Sequence, residues 1–205
     1  MDWTIQFDKA VEQYLPDLEV VREEPMSRHT TFRIGGPAKR MAYPASREQL
    51  VLLLNFAGEC GADPLVIGNG SNLLAPDEGL DRLVIDTSVH LNRVEQGTGN
   101  TVIADAGATL ARTADFACKL GLAGLEFAHG IPGTVGGGVC MNAGAYGGEM
   151  KQVLRSAAVL FPEEGVRTLS CEELKLSYRH SLLTERPEAV VLYAEFELTP
   201  GDPET

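Results

Sequence analysis

A glycine-rich tract dominates this chain: residues 121–148 read GLAGLEFAHGIPGTVGGGVCMNAGAYGG, and ten of these 28 residues are glycine. Each glycine adds conformational entropy to the unfolded chain, so regular secondary structure alone does not account for so many. Glycines lack a Cβ, so they allow the backbone to lie directly against a ligand, as a flat aromatic cofactor with a diphosphate tail would need. A series of helix caps and turns would also use glycine. A Walker phosphate loop is excluded, because neither GKS nor GKT occurs.

A second glycine-containing turn lies upstream, where residues 65–74 read LVIGNGSNLL. A short buried strand runs into small residues whose backbone N–H groups can approach an anion such as a pyrophosphate. A dinucleotide-binding Rossmann fingerprint is excluded, because Leu73 occupies the third glycine position and Pro76 and Gly79 interrupt any crossover helix. A tight hairpin-like turn is the alternative interpretation of the segment.

Two further segments place arginine beside hydroxyl groups. In SYRHS, residues 177–181, the planar guanidinium of Arg179 could bind a carboxylate through two hydrogen bonds. Taken alone, such a pentapeptide is also typical of a solvated loop. Residues 28–38, RHTTFRIGGPA, predict an edge strand followed by a glycine turn.

The patterns around these segments predict an α+β protein. Apolar residues at helical spacing predict helices that end near Leu15, Gly61 and Leu120. Runs of β-type residues bounded by Gly, Pro or Asp predict strands, which are 40–43, 65–67, 82–85, 101–104, 153–161 and 190–198. We therefore expect one α+β subdomain over residues 1–86 and a second over residues 87–200.

Composition narrows the class of partner. The formal net charge of −12 argues against a broad electrostatic contact with nucleic acid or with an anionic membrane. The N-terminus lacks a signal-peptide pattern, and the longest aliphatic run is far too short to span a bilayer. Four scattered cysteines without a CxxC pair predict reduced, mostly buried thiols. These features predict a soluble cytoplasmic protein; they indicate no oligomeric state.

Together and in this order, the segments HTTFRIGGPA, VIGNGSNLL, GLAGLEFAHGIPGTVGGGVCMNAGAYGGE and SYRHS closely resemble the UDP-N-acetylenolpyruvoylglucosamine reductase family. The resemblance covers residues 27–181. That family has the FAD-binding fold shared with vanillyl-alcohol oxidase and p-cresol methylhydroxylase, in which two α+β subdomains clasp FAD between them. It implies non-covalent FAD as cofactor, NADPH as reductant and UDP-N-acetylglucosamine enolpyruvate as substrate. The implied product is UDP-N-acetylmuramate, a precursor of peptidoglycan.

The resemblance also implies the site residues. Arg179 would be the active-site arginine, because hydride addition to the enolpyruvyl group pushes charge onto the carboxylate that a guanidinium can hold. The FAD pyrophosphate would be held by the residues after the strand at 65–67, which are Gly68, Asn69, Gly70, Ser71 and Asn72. The other expected FAD-binding residues, most of them lining the flavin, are Gly107, Ile131, Pro132, Gly133, Thr134, Gly136, Gly137, Asn142, Ala143, Gly144, Ala145 and Tyr146.

One departure from the family keeps other functions open. Its third domain, which closes over the substrate and carries a proton donor and an assisting glutamate, is expected to be absent from this chain. Neither Ser181 nor Glu195 matches the motifs for those roles. The alternatives are another flavin oxidoreductase of the same fold, such as a 2-hydroxy acid oxidase, and a non-catalytic flavin-binding module. The YRHS and MNAGAYGGE segments count against the oxidase.

Overall fold

The computed structural model describes residues 2–201, which form two compact units that divide between Leu91 and Asn92. Both units combine helices with strands, which confirms the α+β class expected from the sequence. Within the described residues, no helix is both long enough and apolar enough to cross a membrane.

The first unit contains a four-stranded mixed sheet and two helices. Its elements are α1 (Trp3–Tyr14), β1 (Glu19–Pro25), β2 (Pro37–Tyr43), α2 (Arg47–Glu59), β3 (Leu65–Ile67) and β4 (Leu80–Asp86). The strand order is β1-β2-β4-β3, with β1 antiparallel to β2 and the other two pairs parallel. The parallel pairs end together, so the turn after β3 and the turn after β4 lie at one edge of the sheet.

Helix α2 shows how local sequence sets these elements. The Ser46 hydroxyl accepts a hydrogen bond from the Gln49 N–H at 3.1 Å, and the Gln49 side chain accepts one from the Ala45 N–H at 2.6 Å. The first bond satisfies an N–H group that the first turn of the helix leaves unpaired, and the second fixes the residue before the N-cap. Leu50 and Leu53 are buried, and Gly61 follows the helix with a φ of +70°. The helix therefore ends where the glycine predicts.

The second unit is built on a five-stranded antiparallel sheet with the strand order β11-β10-β12-β6-β5. Its strands are β5 (Val94–Gln96), β6 (Thr101–Asp105), β7 (Leu122–Ala123), β8 (Gly144–Ala145), β9 (Gly148–Glu149), β10 (Leu154–Phe161), β11 (Gly165–Ser170), β12 (Val190–Glu197) and β13 (Thr199–Pro200). Its helices are α3 (Leu110–Lys119), α4 (Val135–Cys140) and α5 (Leu182–Glu185).

The central strand β12 pairs with β6 on one side and with β10 on the other, so Ala194 lies opposite both Ala104 and Ala157. Phe196 and Ala194 are fully buried, whereas Glu197 is exposed. The second half of the strand therefore alternates between a buried apolar face and a more exposed polar face.

Two expectations about this fold are wrong. Residues 28–36 form the end of a short 3-10 helix (Met26–Arg28) and an irregular loop rather than an edge strand; β1, which lies before that helix, is an edge strand of the sheet. The cysteines are not mostly buried: Cys118 is exposed and the other three are half-buried. Cys118 follows the buried Ala117 on α3 and so lies on the outer side of that helix.

Candidate functional site

The turn after β3 presents a row of unused hydrogen-bond donors. Within the described part of the chain, no hydrogen bond uses the backbone N–H groups of residues 68–72. Successive backbone N–H groups in a turn can surround an anion, and their positive ends compensate for the negative overall charge of the chain. This donor set fits a diphosphate.

Gly70 holds this turn against the loop before β2. Its φ is +58°, and a Cβ on it would lie 1.9 Å from the His29 carbonyl oxygen. Its own carbonyl accepts a hydrogen bond from the Thr31 N–H at 3.2 Å. The protein backbone itself therefore requires glycine at this position, which the sequence analysis attributed to a ligand.

A cleft of about 290 Å³ borders the same turn within the first unit. Gly68 and Asn69 line it, whereas Ser71 and Asn72 do not. Sequence reasoning missed the remaining lining residues, which are Arg28, His29, Thr30, Thr31, Asp86, Ser88 and Val89. The signal for four of them was the RHTT segment, which has the hydroxyl groups and basic side chains of a binding loop but was interpreted as a strand.

In the second unit, the turn that contains Gly107 forms backbone hydrogen bonds with the middle of the glycine-rich tract. The Val135 N–H donates to the Ala108 carbonyl and the Gly136 N–H to the Ala106 carbonyl, both at 2.8 Å. The Leu110 N–H donates to the Gly133 carbonyl at 3.0 Å. The structure thus brings Gly107 together with Gly133, Thr134 and Gly136, as a shared cofactor site requires.

The glycines of the tract fall into two groups. A Cβ on Gly138 would lie 2.7 Å from the Met150 side chain, and one on Gly148 would lie 2.7 Å from the Phe127 ring. Protein packing therefore explains these two positions. By contrast, a Cβ would meet nothing within 4 Å at Gly130 or Gly147, and at Gly137 only the Thr134 hydroxyl, 3.8 Å away. Those three positions leave backbone open to a ligand.

The end of the tract borders a second cleft, of about 250 Å³. The predicted residues Asn142, Gly144, Ala145, Tyr146 and Arg179 all line it, and Ala143 is buried behind them. Tyr178, Glu149 and the glycines at 147 and 148 complete the lining. Ile131, Pro132 and Gly137 do not line this cleft; they lie earlier in the tract, before and within α4.

Asn142 connects the segments around this cleft. Its side-chain N–H₂ group donates to Glu149 Oε2 at 2.8 Å and to the Ser177 carbonyl at 3.0 Å. Its side-chain oxygen accepts from the Lys151 N–H at 3.0 Å. Both amide N–H groups are thus used within the protein, so Asn142 shapes the cleft and is not free to donate to a cofactor.

Arg179 lies at the tip of a tight turn that is closed by reciprocal backbone hydrogen bonds between Ser177 and His180, at 3.0 and 3.1 Å. Among residues 2–201, no acidic side chain pairs with its guanidinium. Glu149 faces the same cleft, and its contact with the Lys151 ammonium at 2.7 Å lowers the pKa of the Glu149 carboxyl. Arg179 is therefore a cation available to an anionic ligand.

The two aromatic side chains of the second cleft are exposed to solvent and pack against little of the protein. Tyr146 is 99% exposed and Tyr178 is 88% exposed. Exposed rings beside open glycine backbone offer a flat ligand both a stacking surface and N–H donors. The first unit therefore offers N–H donors suited to an anion, and the second offers an unpaired cation and exposed rings; each of these features is typical of the flavin dinucleotide-binding class of protein.

The comparison with known families agrees with this class. The model of the FAD binding domain family matches residues 38–170, more than half of the chain, and the chain therefore belongs to that family. FAD is the cofactor of this fold, and the free N–H groups of residues 68–72 fit its diphosphate.

Within that family, the chain is similar to UDP-N-acetylenolpyruvoylglucosamine reductases. It is 46% identical over 205 residues to the reductase of Agathobacter rectalis, covering 95% of this chain and 65% of that protein. The crystal structure of the Thermus caldophilus reductase superposes with a TM-score of 0.75 at 34% identity, covering 91% of this chain and 64% of that chain. The chain thus spans slightly less than two thirds of the relatives' length.

A more distant structure, an alkyldihydroxyacetonephosphate synthase, superposes with a TM-score of 0.70 at 16% identity and covers 96% of this chain. This likeness concerns the fold alone. It shows that the arrangement of strands and helices extends beyond the reductases.

Proposed function

We propose that this chain is the FAD-binding part of an NADPH-dependent UDP-N-acetylenolpyruvoylglucosamine reductase that acts on UDP-N-acetylglucosamine enolpyruvate. The observation that carries the proposal is Arg179, an unpaired cation at the tip of a turn on the second cleft. The similarity to reductases along almost the whole chain supports it. Peptidoglycan precursor synthesis is the process that this reaction serves.

In this reaction, bound FAD supplies the hydride that it has received from NADPH. The role of Arg179 is to bind the carboxylate of the enolpyruvyl group through two parallel N–H donors. Hydride addition to the β-carbon moves an electron pair toward the carboxylate, so the guanidinium holds the transition state more strongly than the ground state. Asn142 acts indirectly, because it fixes the Ser177 carbonyl at the base of the Arg179 turn.

The cofactor contacts form a separate part of the proposal. The turn of Gly68, Asn69, Gly70, Ser71 and Asn72 takes the diphosphate through its backbone N–H groups. The Gly107 turn and the tract from Ile131 to Gly137 contact the flavin through backbone, as does the segment from Asn142 to Tyr146. FAD is held without a covalent bond. The cytoplasm is the expected location, which the four free thiols support because disulfides are rare there.

A two-step anaerobic assay tests the activity. In the complete reductase that contains this chain, NADPH should bleach the visible absorbance of bound FAD, and UDP-N-acetylglucosamine enolpyruvate should restore it. Bleaching by NADPH without restoration by this substrate would favour another flavin oxidoreductase. A chain that binds FAD but is not reduced by NADPH would favour a non-catalytic flavin-binding module.

Arg179→Lys tests the assigned residue, and this is our first prediction. In the complete reductase, the variant should keep its bound FAD and its reduction by NADPH, whereas reoxidation by the substrate should slow by about tenfold or more, because a point charge replaces a planar pair of donors. Arg155→Lys is the matched control, since Arg155 pairs with Glu195 on the sheet and does not line the cleft. An Arg179→Lys rate equal to that of the control would contradict the role of Arg179.

A further inference from the structure

His29 lies between two carboxylates in the first unit. Its Nδ1 is 3.1 Å from Asp86 Oδ2, and its Nε2 is 3.1 Å from Glu24 Oε1. A neutral imidazole carries only one N–H, so it would leave the lone pair of its other nitrogen facing a carboxylate oxygen. Only the doubly protonated imidazolium donates to both neighbours, and the geometry therefore favours a charged His29.

The same residue contacts both walls of the first cleft. Its backbone carbonyl packs against Gly70, in the turn of residues 68–72, and its ring forms a hydrogen bond with Asp86 at the end of β4. The second oxygen of Asp86 accepts hydrogen bonds from the Ser88 N–H at 2.8 Å and from the Ser88 hydroxyl at 2.6 Å. His29 thus links the turn after β3 to the turn after β4.

The adjacent Thr87 strengthens this link. Its N–H and its hydroxyl both donate to the carbonyl of Ile67, the last residue of β3, at 3.0 and 2.9 Å. A movement of Asp86 would therefore be transmitted to Gly68, at the start of the turn of residues 68–72.

The charges that face His29 come from every neighbouring element. Glu24 on β1 and Asp86 on β4 are the two carboxylates, and Arg28 reaches Glu24 at 3.4 Å. Tyr43 on β2 stays neutral, because burial raises its pKa to about 12, with Glu24 and Asp86 adding to the effect. Farther along β1, Glu19 pairs with His90 at 3.5 Å.

With His29 protonated, two cations balance two carboxylates beside the cleft. Loss of that proton leaves a net negative charge next to the N–H groups of residues 68–72. A diphosphate is itself anionic, so the deprotonated cleft repels the ligand that the turn attracts.

We propose that His29 is a positioning residue for the FAD diphosphate: its imidazolium holds the two turns together and neutralises Glu24 and Asp86, so that the affinity for FAD falls when His29 loses its proton. This inference rests on the placement of the diphosphate at residues 68–72 given under the proposed function.

The direction of the pH effect follows from the surroundings of the ring. The hydrogen bond with Asp86 is the largest influence and, with that of Glu24, raises the pKa of His29 above its ordinary value of 6.5 despite partial burial. Affinity should therefore be full below 6.5 and fall as the pH rises through the raised pKa. The stability that protonated His29 gives the unit should be lost over the same window.

The test measures the Kd of FAD by flavin fluorescence from about pH 6 to about pH 9, where an unperturbed histidine changes charge at the acid end. For the wild-type chain the Kd should rise about tenfold across this range, the size expected for one partly screened charge. His29→Gln should bind more weakly at low pH and vary by less than about twofold. His90→Gln is the matched control and should keep the wild-type profile, because His90 does not line the cleft.

A second measurement keeps the inference testable if His29→Gln does not fold. The ring nitrogens of His29, followed by NMR in the wild-type chain without FAD, should keep both protons to a higher pH than those of an ordinary histidine, because the hydrogen bonds with Asp86 and Glu24 raise its pKa. A His29 that titrates at or below its ordinary pKa overturns the inference, and so does tight FAD binding with a Kd that does not change with pH. Failure of the wild-type chain to bind FAD at any pH would instead overturn the proposed function as well.

Discussion

Single residues with left-handed backbone cluster on the second cleft. Asn142, Tyr146 and Arg179 have φ values of +42°, +53° and +52°, and all three line it. A residue with a Cβ pays about 1–2 kcal/mol for this conformation. Strain of this kind persists only where the surroundings enforce it, and it is common at functional sites. The three residues therefore support a ligand site here independently of the sequence motifs.

Gly70→Ala tests the close contact between Gly70, in the turn of residues 68–72, and the His29 carbonyl. The new Cβ would overlap the His29 carbonyl in addition to adopting a left-handed φ, so we expect a loss of about 3 kcal/mol or more in the free energy of unfolding. Gly61→Ala is the matched control: its φ is +70°, but nothing lies within 4 Å of the added Cβ.

The control should lose only about 1 kcal/mol, the cost of the backbone conformation alone. Urea unfolding measures both losses. Equal losses in the two variants would show that the loop before β2 moves away from the turn without cost.

Much of the candidate site could be predicted at the level of residues, and the reason is chemical. A motif of closely spaced glycine and asparagine, or an arginine among hydroxyl groups, indicates a tight turn or a contact with a ligand. Gly70 and Arg179 could therefore be recognised in the sequence. His29 could not, because its role depends on a partner that is distant in sequence, Asp86, 57 residues away. Nor does the sequence reveal whether a glycine such as Gly148 faces a ligand or the Phe127 ring.

Among the elements, the two-stranded ribbon of β8 and β9 and the Arg179 turn form one assembly through Asn142. Three hydrogen bonds join its amide to Glu149, Lys151 and Ser177. Because the amide is only 3% exposed, water cannot easily replace these bonds. The position of the guanidinium therefore depends on a residue 37 positions earlier in the chain.

Asn142→Asp tests this dependence. Aspartate tolerates the left-handed φ but has no N–H₂ group, and it places an oxygen against the Ser177 carbonyl and against Glu149. We expect a loss of about 2–3 kcal/mol in the free energy of unfolding, measured in urea, and slower reoxidation by the substrate.

Glu149→Gln is the control for this variant. Its side-chain oxygen can still accept from Asn142, and the partly exposed ion pair with Lys151 that it loses contributes little, so stability should stay within about 1 kcal/mol of that of the wild-type chain. Wild-type behaviour of Asn142→Asp in both assays would show that the Arg179 turn is held by its own backbone bonds alone.

Elements with strong local signals were predictable, and those stabilised by distant contacts were not. Helices α2 and α3 begin at Ser46 and Thr109, whose hydroxyls cap them, and each is followed by a glycine. Strand β1 was missed because its sequence, EVVREEP, mixes charges into a half-buried edge and shows no alternation. Helix α4 was missed because VGGGVC has low helix propensity; contacts with Ala106 and Met150 hold it in place.

At the scale of the whole molecule, each unit has its own hydrophobic core. Met26, Met41 and Val84 belong to that of the first unit, and Leu110, Phe161 and Phe196 to that of the second. Both cores consist of aliphatic and aromatic side chains of the protein itself. We therefore expect each unit to fold without FAD, and FAD to raise the free energy of unfolding only because it binds the folded state.

FAD should therefore stabilise the chain by mass action. At about 100 times its Kd, the free energy of unfolding should rise by about 2.7 kcal/mol. Riboflavin, which has the same ring system but no diphosphate and no adenosine, should raise it much less at the same concentration. Thermal unfolding with each ligand makes the comparison. Equal stabilisation by the two would mean that residues 68–72 do not bind the diphosphate.

The position of β12 at the centre of the second sheet has a consequence for biosynthesis. This strand pairs with both β6 and β10, yet it is the last of the five to leave the ribosome. Until residue 197 emerges, β6 and β10 each expose an open edge, and such edges are where nascent chains associate wrongly. The first unit, whose sheet is complete at Asp86, can fold well before that. Protection by chaperones during translation would accordingly matter most for the second unit.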